Sequence, residues 1–316
     1  MMKEIGGYFG LDMFKGKEYY PNLIAVNTAR HALAYIIRAK KIKKLYLPYF
    51  LCDSVYKLCQ KENCEYEFYN INENFLPVFD ETLQQDEYLY IVNYYGQLTK
   101  NQIKFYKNKY KNIIVDNVQA FFNKPIKDID TVYSCRKYFG VPDGGYVYST
   151  AKLESQLETD KSKSRMGHIL GRFEDSAFEH YNEFRGNDES FNECDLYYMS
   201  NLTKNILRAL DYKQIIKRRN SNFKLLQKAF EKINKIKVKK SKGPYCYPLY
   251  IDNGMQLKKH LAEEGIFIAT LWPNVLEVDS EIEKKYAENI LPLPVDQRYS
   301  KEEMKKIVEI ITQEET

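Results

Sequence analysis

The chain has 316 residues, which predicts one large and one small domain rather than a single ordinary core. Hydrophobic residues make up 44% and charged residues 29%, a globular balance that excludes disordered, collagen-like and membrane-embedded classes. The net charge of +5 is mild, and the lysine-rich runs Lys40–Lys44 and Lys235–Lys242 read as solvated faces, which argues against a nucleic-acid-binding module.

In chain order, the first two hundred residues alternate β-rich runs with helical patterns, the signature of an α/β sheet. Thr28 to Ala39 predicts a helix with Leu33, Ile36 and Ile37 on one face. Leu45–Leu47 is a short strand ending at Pro48, Cys52 to Cys59 a second helix, and Tyr66–Tyr69 and Tyr88–Asn93 further strands. Ile113–Val115 and Thr131–Ser134 follow, then a turn at Pro142-Asp143-Gly144-Gly145 and a returning strand at Tyr146–Tyr148. Lys152 to Asn192 is polar and helical, a mobile or partner-facing stretch, and one long helix is expected from about Ser200 to Phe230. Beyond it Tyr247–Ile251 and Ile266–Ala269 predict strands, and Met255–Glu263 and Lys301–Ile311 helices. The expected division is residues 1–210 as the large α/β domain and 211–316 as a small α+β domain.

Tyrosine is the unusual entry: 28 Tyr stand beside 17 Phe and one Trp, and its apolar body and polar tip suit clefts and interfaces. Cys52, Cys59, Cys64, Cys135, Cys194 and Cys246 match no zinc spacing, so no metal is expected. With no signal peptide and no long apolar run, the chain reads as cytosolic, with reduced thiols.

Two segments carry chemistry. Ile113-Ile114-Val115 ends in Asp116, and Tyr133-Ser134-Cys135-Arg136 leads to Lys137. Two successive sheet strands would bring an acid and an amine to one carboxyl edge, where ligands gather in open α/β sheets. Pyridoxal phosphate (PLP) uses such a pair: the lysine binds the aldehyde, and the carboxylate keeps the ring nitrogen protonated. Taken alone, the acid also reads as a turn cap or salt-bridge partner, and the lysine as a surface residue.

In order, several stretches resemble the DegT/DnrJ/StrS sugar aminotransferases. Asp116-Asn117-Val118-Gln119 resembles their acid-x-x-Gln motif, and Ser134 to Gly145 their lysine motif with its acidic-Gly-Gly turn. Asn93-Tyr94-Tyr95-Gly96-Gln97 is similar to the strand and turn before the acid, Thr28-Ala29-Arg30-His31 to the phosphate-helix start, and Leu47-Pro48-Tyr49-Phe50 to the Pro-aromatic step. Leu291-Pro292-Leu293-Pro294 resembles the C-terminal close.

The resemblance implies the PLP-dependent transferase fold-type I, a mostly parallel central sheet flanked by helices with a small C-terminal domain, assembled as a homodimer. It implies PLP as cofactor, Lys137 and Asp116 as catalytic residues, and Gln119 near the ring hydroxyl. Thr28, Ala29, Arg30 and Ser134 would serve the phosphate, and Tyr49 or Phe50 would stack near the ring. The activity implied is ping-pong transfer of an amino group from an amino acid, glutamate by expectation, to a keto-sugar nucleotide, as in polysaccharide biosynthesis. The other reading is a catalytically silent relative that binds PLP or a sugar as a regulatory or scaffold protein.

The chain departs from the family at four places. Ala29 stands where a Gly is usual, Ser134 lies only three residues before Lys137, Tyr197-Tyr198-Met199-Ser200 lacks the arginine of the element that reaches across the dimer, and Leu271-Trp272-Pro273 replaces His-Tyr-Pro. His31 and Trp272 read as packing residues, and Cys135 as core or pocket lining.

Overall fold

The computed structural model describes residues 5–314. The strands are β1 (Ile24–Val26), β2 (Lys44–Pro48), β3 (Glu65–Ile71), β4 (Pro77–Val78), β5 (Glu87–Val92), β6 (Ile113–Asp116), β7 (Asp130–Ser134), β8 (Gly145–Tyr148), β9 (Cys246–Tyr250) and β10 (Ile290–Pro294). The helices are α1 (Ala29–Lys40), α2 (Asp53–Lys61), α3 (Lys100–Tyr110), α4 (Gly167–Glu174), α5 (Tyr181–Glu193), α6 (Asn201–Arg208), α7 (Tyr212–Phe230), α8 (Gly254–Glu263), α9 (Glu281–Asn289) and α10 (Lys301–Glu314).

Eight strands form one sheet in the order β1-β8-β7-β6-β5-β2-β3-β4. The five from β7 to β3 run parallel, while β8 returns antiparallel beside β7 and pairs with β1. Every residue of β6 and β7 is buried, as expected for strands covered on both faces. The sheet is thus mixed but mostly parallel, flanked by helices. Long tyrosines fill it by burying the ring and spending the hydroxyl on a backbone carbonyl: Tyr69 donates to Tyr90 O at 2.6 Å and Tyr94 to Phe50 O at 2.6 Å.

Local chemistry sets the helix ends. Thr28 caps α1, its hydroxyl accepting from His31 N at 3.1 Å, and Thr99 with Gln102 forms a capping box at α3. The single helix expected over Ser200–Phe230 is two helices. Ser200 caps α6, and the chain breaks at Ala209–Asp211, where Asp211 accepts from Gln214 N and starts α7. The strand expected at Ile266–Ala269 is absent: Gly265 (φ +77°) turns the chain out of α8, and no neighbouring strand offers those residues a ladder.

β9 and β10 pair antiparallel as a two-stranded sheet. Phe223, Phe230, Tyr247, Leu261, Leu293 and Ile311 belong to a second core between that sheet and α7, α8 and α10. Arg219 of α7, 1% exposed, links the second core to the main sheet's loops. Its guanidinium donates to Tyr138 O at 3.2 Å, Pro244 O at 2.9 Å and Gln297 Oε1 at 2.8 Å. Among the described residues no helix is long and apolar enough to cross a membrane.

Candidate active site

β6 and β7 are neighbours, with Asp116 opposite Val132, so the ends of both strands open onto the same sheet edge. After Ser134 the chain folds into a tight turn in which Tyr138 N and Phe139 N both donate to Cys135 O, and Lys137 projects from that turn. Asp116, Gln119, Ser134 and Lys137 meet Thr28, Ala29 and Arg30 in the lining of one cavity of about 200 Å³. Seven of the nine residues singled out in the sequence therefore line one cavity.

Asp116 is buried, and each of its oxygens accepts one bond: Oδ2 from the Tyr90 hydroxyl at 2.7 Å, Oδ1 from Val118 N at 2.7 Å. Burial pushes its carboxyl above the ordinary value, against the opposing pull of those two bonds and of the Lys137 charge. It makes no ion pair among the described residues, and a carboxylate has lone pairs for further donors. Lys137 is the opposite case. Burial pulls its amine down, but the acidic groups Tyr245, Cys52, Asp116 and Asp188 together outweigh that pull and leave it raised. Its Nζ also lies 5.5 Å from the centre of the Tyr245 ring, which favours the ammonium form.

Gln119 is 3% exposed, and its Oε1 accepts from Tyr95 N at 2.8 Å. That bond ties down Tyr95, which holds a left-handed backbone at φ +54°. The Gln119 Nε2 has no partner within the protein, so a buried donor is turned toward the cavity with nothing to satisfy it.

The cavity's other wall begins at α1. The N–H groups of Ala29 and Arg30 stand at the helix start, where no preceding turn accepts from them. Gly145 holds this start against the sheet: a Cβ there would meet the Thr28 carbonyl carbon at 2.5 Å and Ala29 N at 2.7 Å. The acidic-Gly-Gly turn is anchored in turn by Asp143, fully buried, which accepts from Ser200 N at 2.8 Å and from the hydroxyls of Ser200 and Thr203.

Tyr49 and Phe50 lie outside the cavity lining. Phe50 is fully buried against Trp272, ring centres 4.4 Å apart, and Tyr49 stacks on Phe68 at 4.9 Å. The aromatics at the wall are Tyr90, Phe191 and Trp272, the last packed between Phe50 and Tyr94. Among the lining residues that the sequence reading did not assign to the site are Tyr90, Arg136, Asp188 and Trp272. Tyr90 had a usable signal, since it alternates with Val92 on the strand beside Asp116. Arg136 lies beside Lys137 and pairs with Asp188 of α5 at 2.9 Å, a contact across 52 positions that no local pattern announces.

His31 is buried and structural in its contacts: Nδ1 meets Thr28 Oγ1 and Nε2 meets Cys194 O, both at 3.0 Å, and burial pulls its pKa down to about 4. Cys135 is fully buried in a core cluster with Tyr133 and Tyr146. Asp175, Glu179 and His180 are the grouping with metal-ligand spacing among the described residues; they do not line the cavity, and His180 is already bonded to Asp175 and Glu183.

No family model and no curated protein matches the sequence. Solved structures do match the fold. The DegT/DnrJ/EryC1/StrS aminotransferase from Brucella abortus aligns with a TM-score of 0.62 at 14% identity, over 92% of this chain and 85% of its own. DesV from S. venezuelae aligns at 0.64 and 14%, over 92% and 84%. NtdA from Bacillus subtilis, solved with bound cofactor PMP, aligns at 0.67 and 14%, over 92% and 72%. The chain has the fold of these aminotransferases.

Proposed function

We propose that this chain is a PLP-dependent aminotransferase that moves an amino group from an amino acid to a keto-sugar nucleotide. One observation carries the reading: a lysine and a buried, unpaired carboxylate at the carboxyl ends of adjacent strands line the same cavity as an unsatisfied amide donor and a helix N-terminus. The donor set fits the cofactor at each of its ends. Asp116 would accept from the ring nitrogen, Gln119 Nε2 would donate to the ring hydroxyl, and Lys137 would hold the aldehyde carbon. Thr28, Ala29, Arg30 and Ser134 would meet the phosphate, the first three through the start of α1. Bound PLP supplies an electron sink for the carbanion formed when the donor loses its α-proton.

The protein's part is positioning and proton transfer. Lys137 Nζ would take up and hold the proton that leaves the donor Cα, acting as general base and then as general acid. Asp116, kept in place by Tyr90 and Val118, would hold the ring nitrogen's proton throughout. Tyr94, Trp272 and Phe50 form an apolar backing beside the lining, which keeps the dielectric low where that charge interaction counts. By the same likeness we take glutamate as donor, a homodimer as the working form and the cytoplasm as its place. Phe173 and Phe178, 88% and 86% exposed about the α4–α5 turn, support a second copy as the partner.

The test is the visible spectrum of the purified protein with added PLP, for wild type and Lys137→Ala, followed by L-glutamate. A PLP band present in wild type, absent in the variant and bleached by glutamate supports the assignment. No band in wild type overturns it, and a band that glutamate leaves unchanged overturns the choice of donor.

A further inference from the structure

A second cavity, of about 780 Å³, shares no lining residue with the one that holds Lys137. It lies at the carboxyl edge of the sheet, between the turns that follow β3 and β5 and the residues of β9 and α9. Four lysines line it, Lys235, Lys237, Lys239 and Lys285, against one carboxylate, Glu73. Lys235 pairs with Asp252 and Lys285 with Glu281, whereas no ion pair among the described residues holds Lys237 or Lys239. The strap that carries three of these lysines is fixed by its own bonds. Lys235 N donates to Tyr250 O at 2.9 Å, and Val238 O accepts from Gln227 Nε2 at 3.0 Å. Gln97 closes a reciprocal pair with Lys239, its Oε1 accepting from the backbone N at 2.7 Å and its Nε2 donating to the O at 2.8 Å. Exposed lysines alternate with half-buried Ile236 and Val238, so an ordered row of charge borders the cavity. Its floor is aromatic: Tyr286 meets Phe75 at 4.9 Å and the half-buried Tyr250 at 5.3 Å between ring centres. Phe75 packs in turn on Tyr94 at 5.7 Å, and Tyr94 on Trp272 at 5.5 Å, so a layer of buried rings separates the two cavities.

We infer that this cleft is a second binding site, for a nucleoside diphosphate, with Lys237 and Lys239 on the phosphates and Tyr250 beside the base. The volume falls in the range of about 300–1,000 Å³ that small-molecule sites occupy. Two ammonium groups without a counter-charge gain charge-assisted bonds from phosphate oxygens. A half-buried tyrosine offers a face on which any base can stack. An apolar ligand would leave the lysines unpaired, and a small inorganic anion would leave the rings and most of the volume unused. The ring layer holds a ligand here apart from Lys137, so the inference rests on the charge, rings and volume of the cleft and not on the PLP reading. Free nucleotide and the nucleotide end of a nucleotide-linked sugar share the chemistry that the cleft would recognise.

The experiment measures affinities for uridine diphosphate, inorganic pyrophosphate and PLP by calorimetry on the full chain. The proteins are wild type, the double variant Lys237→Met with Lys239→Met, Tyr250→Ala, and a control, Lys224→Met with Lys228→Met, which removes the same charge from exposed positions of α7. The cleft double variant should lose about tenfold or more in uridine diphosphate affinity, and the control less than about twofold. Tyr250→Ala should weaken uridine diphosphate and leave pyrophosphate unchanged, and no variant should alter PLP affinity. A wild type that does not bind uridine diphosphate, or equal losses in the control and the cleft variant, overturns the site. Displacement of uridine diphosphate by one equivalent of PLP would put the nucleotide in the catalytic cavity and overturn it too. Pyrophosphate that binds as tightly as uridine diphosphate, with Tyr250→Ala silent, overturns the nucleotide assignment. Uridine diphosphate glucose as competitor separates the sources: displacement supports a cleft that also takes sugar-linked nucleotide, and none supports one confined to free nucleotide. A protein that fails to bind PLP sinks the cofactor assignment, while the uridine diphosphate measurements still decide the cleft.

Discussion

The Tyr90 hydroxyl donates to Oδ2 of Asp116 across 2.7 Å, from the strand beside it. The register of β5 on β6 sets Val92 opposite Asp116, so Tyr90, two residues earlier, turns to the same face and reaches the carboxylate from below. Tyr90→Phe keeps the ring's packing and deletes the donor, and the Asp116 carboxyl then rises further. A hydrogen bond to a charged group contributes about 1.5–3 kcal/mol. We expect kcat with glutamate to fall about 10- to 100-fold, with KM little changed and the fold intact by circular dichroism. An unchanged kcat would remove Tyr90 from the site.

Beside its proposed role toward the cofactor, Asp116 is a stability cost. Its folded carboxyl lies above the ordinary range because burial disfavours the charge. The folded state therefore binds a proton that the unfolded chain has released, and stability declines as pH rises from the ordinary carboxyl range through the raised value. Asp116→Asn should raise the melting temperature of the cofactor-free protein at neutral pH, with the gain shrinking as the pH is taken down into the ordinary carboxyl range. The same variant should lose transaminase activity. Melts of both proteins across pH check the sign.

In the proposed role Lys137 would attack an aldehyde only as the neutral amine, and its pKa is raised by the acidic groups around it. The rate of PLP attachment should climb with pH, about tenfold per unit through the neutral range, since the amine is still mostly protonated there. A rate that levels off near neutrality would mean that the lysine is not held in its charged form.

At Gly145 the obstacle is backbone on backbone. An added methyl would meet the start of α1 at 2.5–2.7 Å, and neither Thr28 nor Ala29 has a flexible end to move. Overpacking of this sort costs about 1–3 kcal/mol. Gly145→Ala should destabilise the protein by that order in urea unfolding, and should weaken PLP more than pyridoxal because the displaced element is the helix start.

Much of this arrangement could be read ahead of the structure where local pattern and motif agree. Asp116 and Lys137 follow strands of apolar, β-branched residues, so their arrival at one sheet edge is a consequence of strand order. Gln119 stands at a fixed offset from the acid. The aromatics were harder, since Tyr49 and Phe50 are consecutive and follow a strand end; nothing local says which way either ring turns, and both turned away from the cavity. Arg136 and Asp188 meet only because α5 folds back over the lysine turn. The break between α6 and α7 was legible in principle, as Asp211 and Gln214 have cap spacing, but the continuous run of helix formers around them masked it.

Trp272 gives the cavity a light source of its own. It is the sequence's sole indole, and it stands in the cavity wall against Phe50 and Tyr94. Excited tyrosines elsewhere in the molecule pass their energy to it, so emission collected from the whole protein originates largely at this wall. A chromophore that enters the cavity is then reported by quenching, with no label attached, and occupancy can be followed in real time in any variant that leaves the indole untouched.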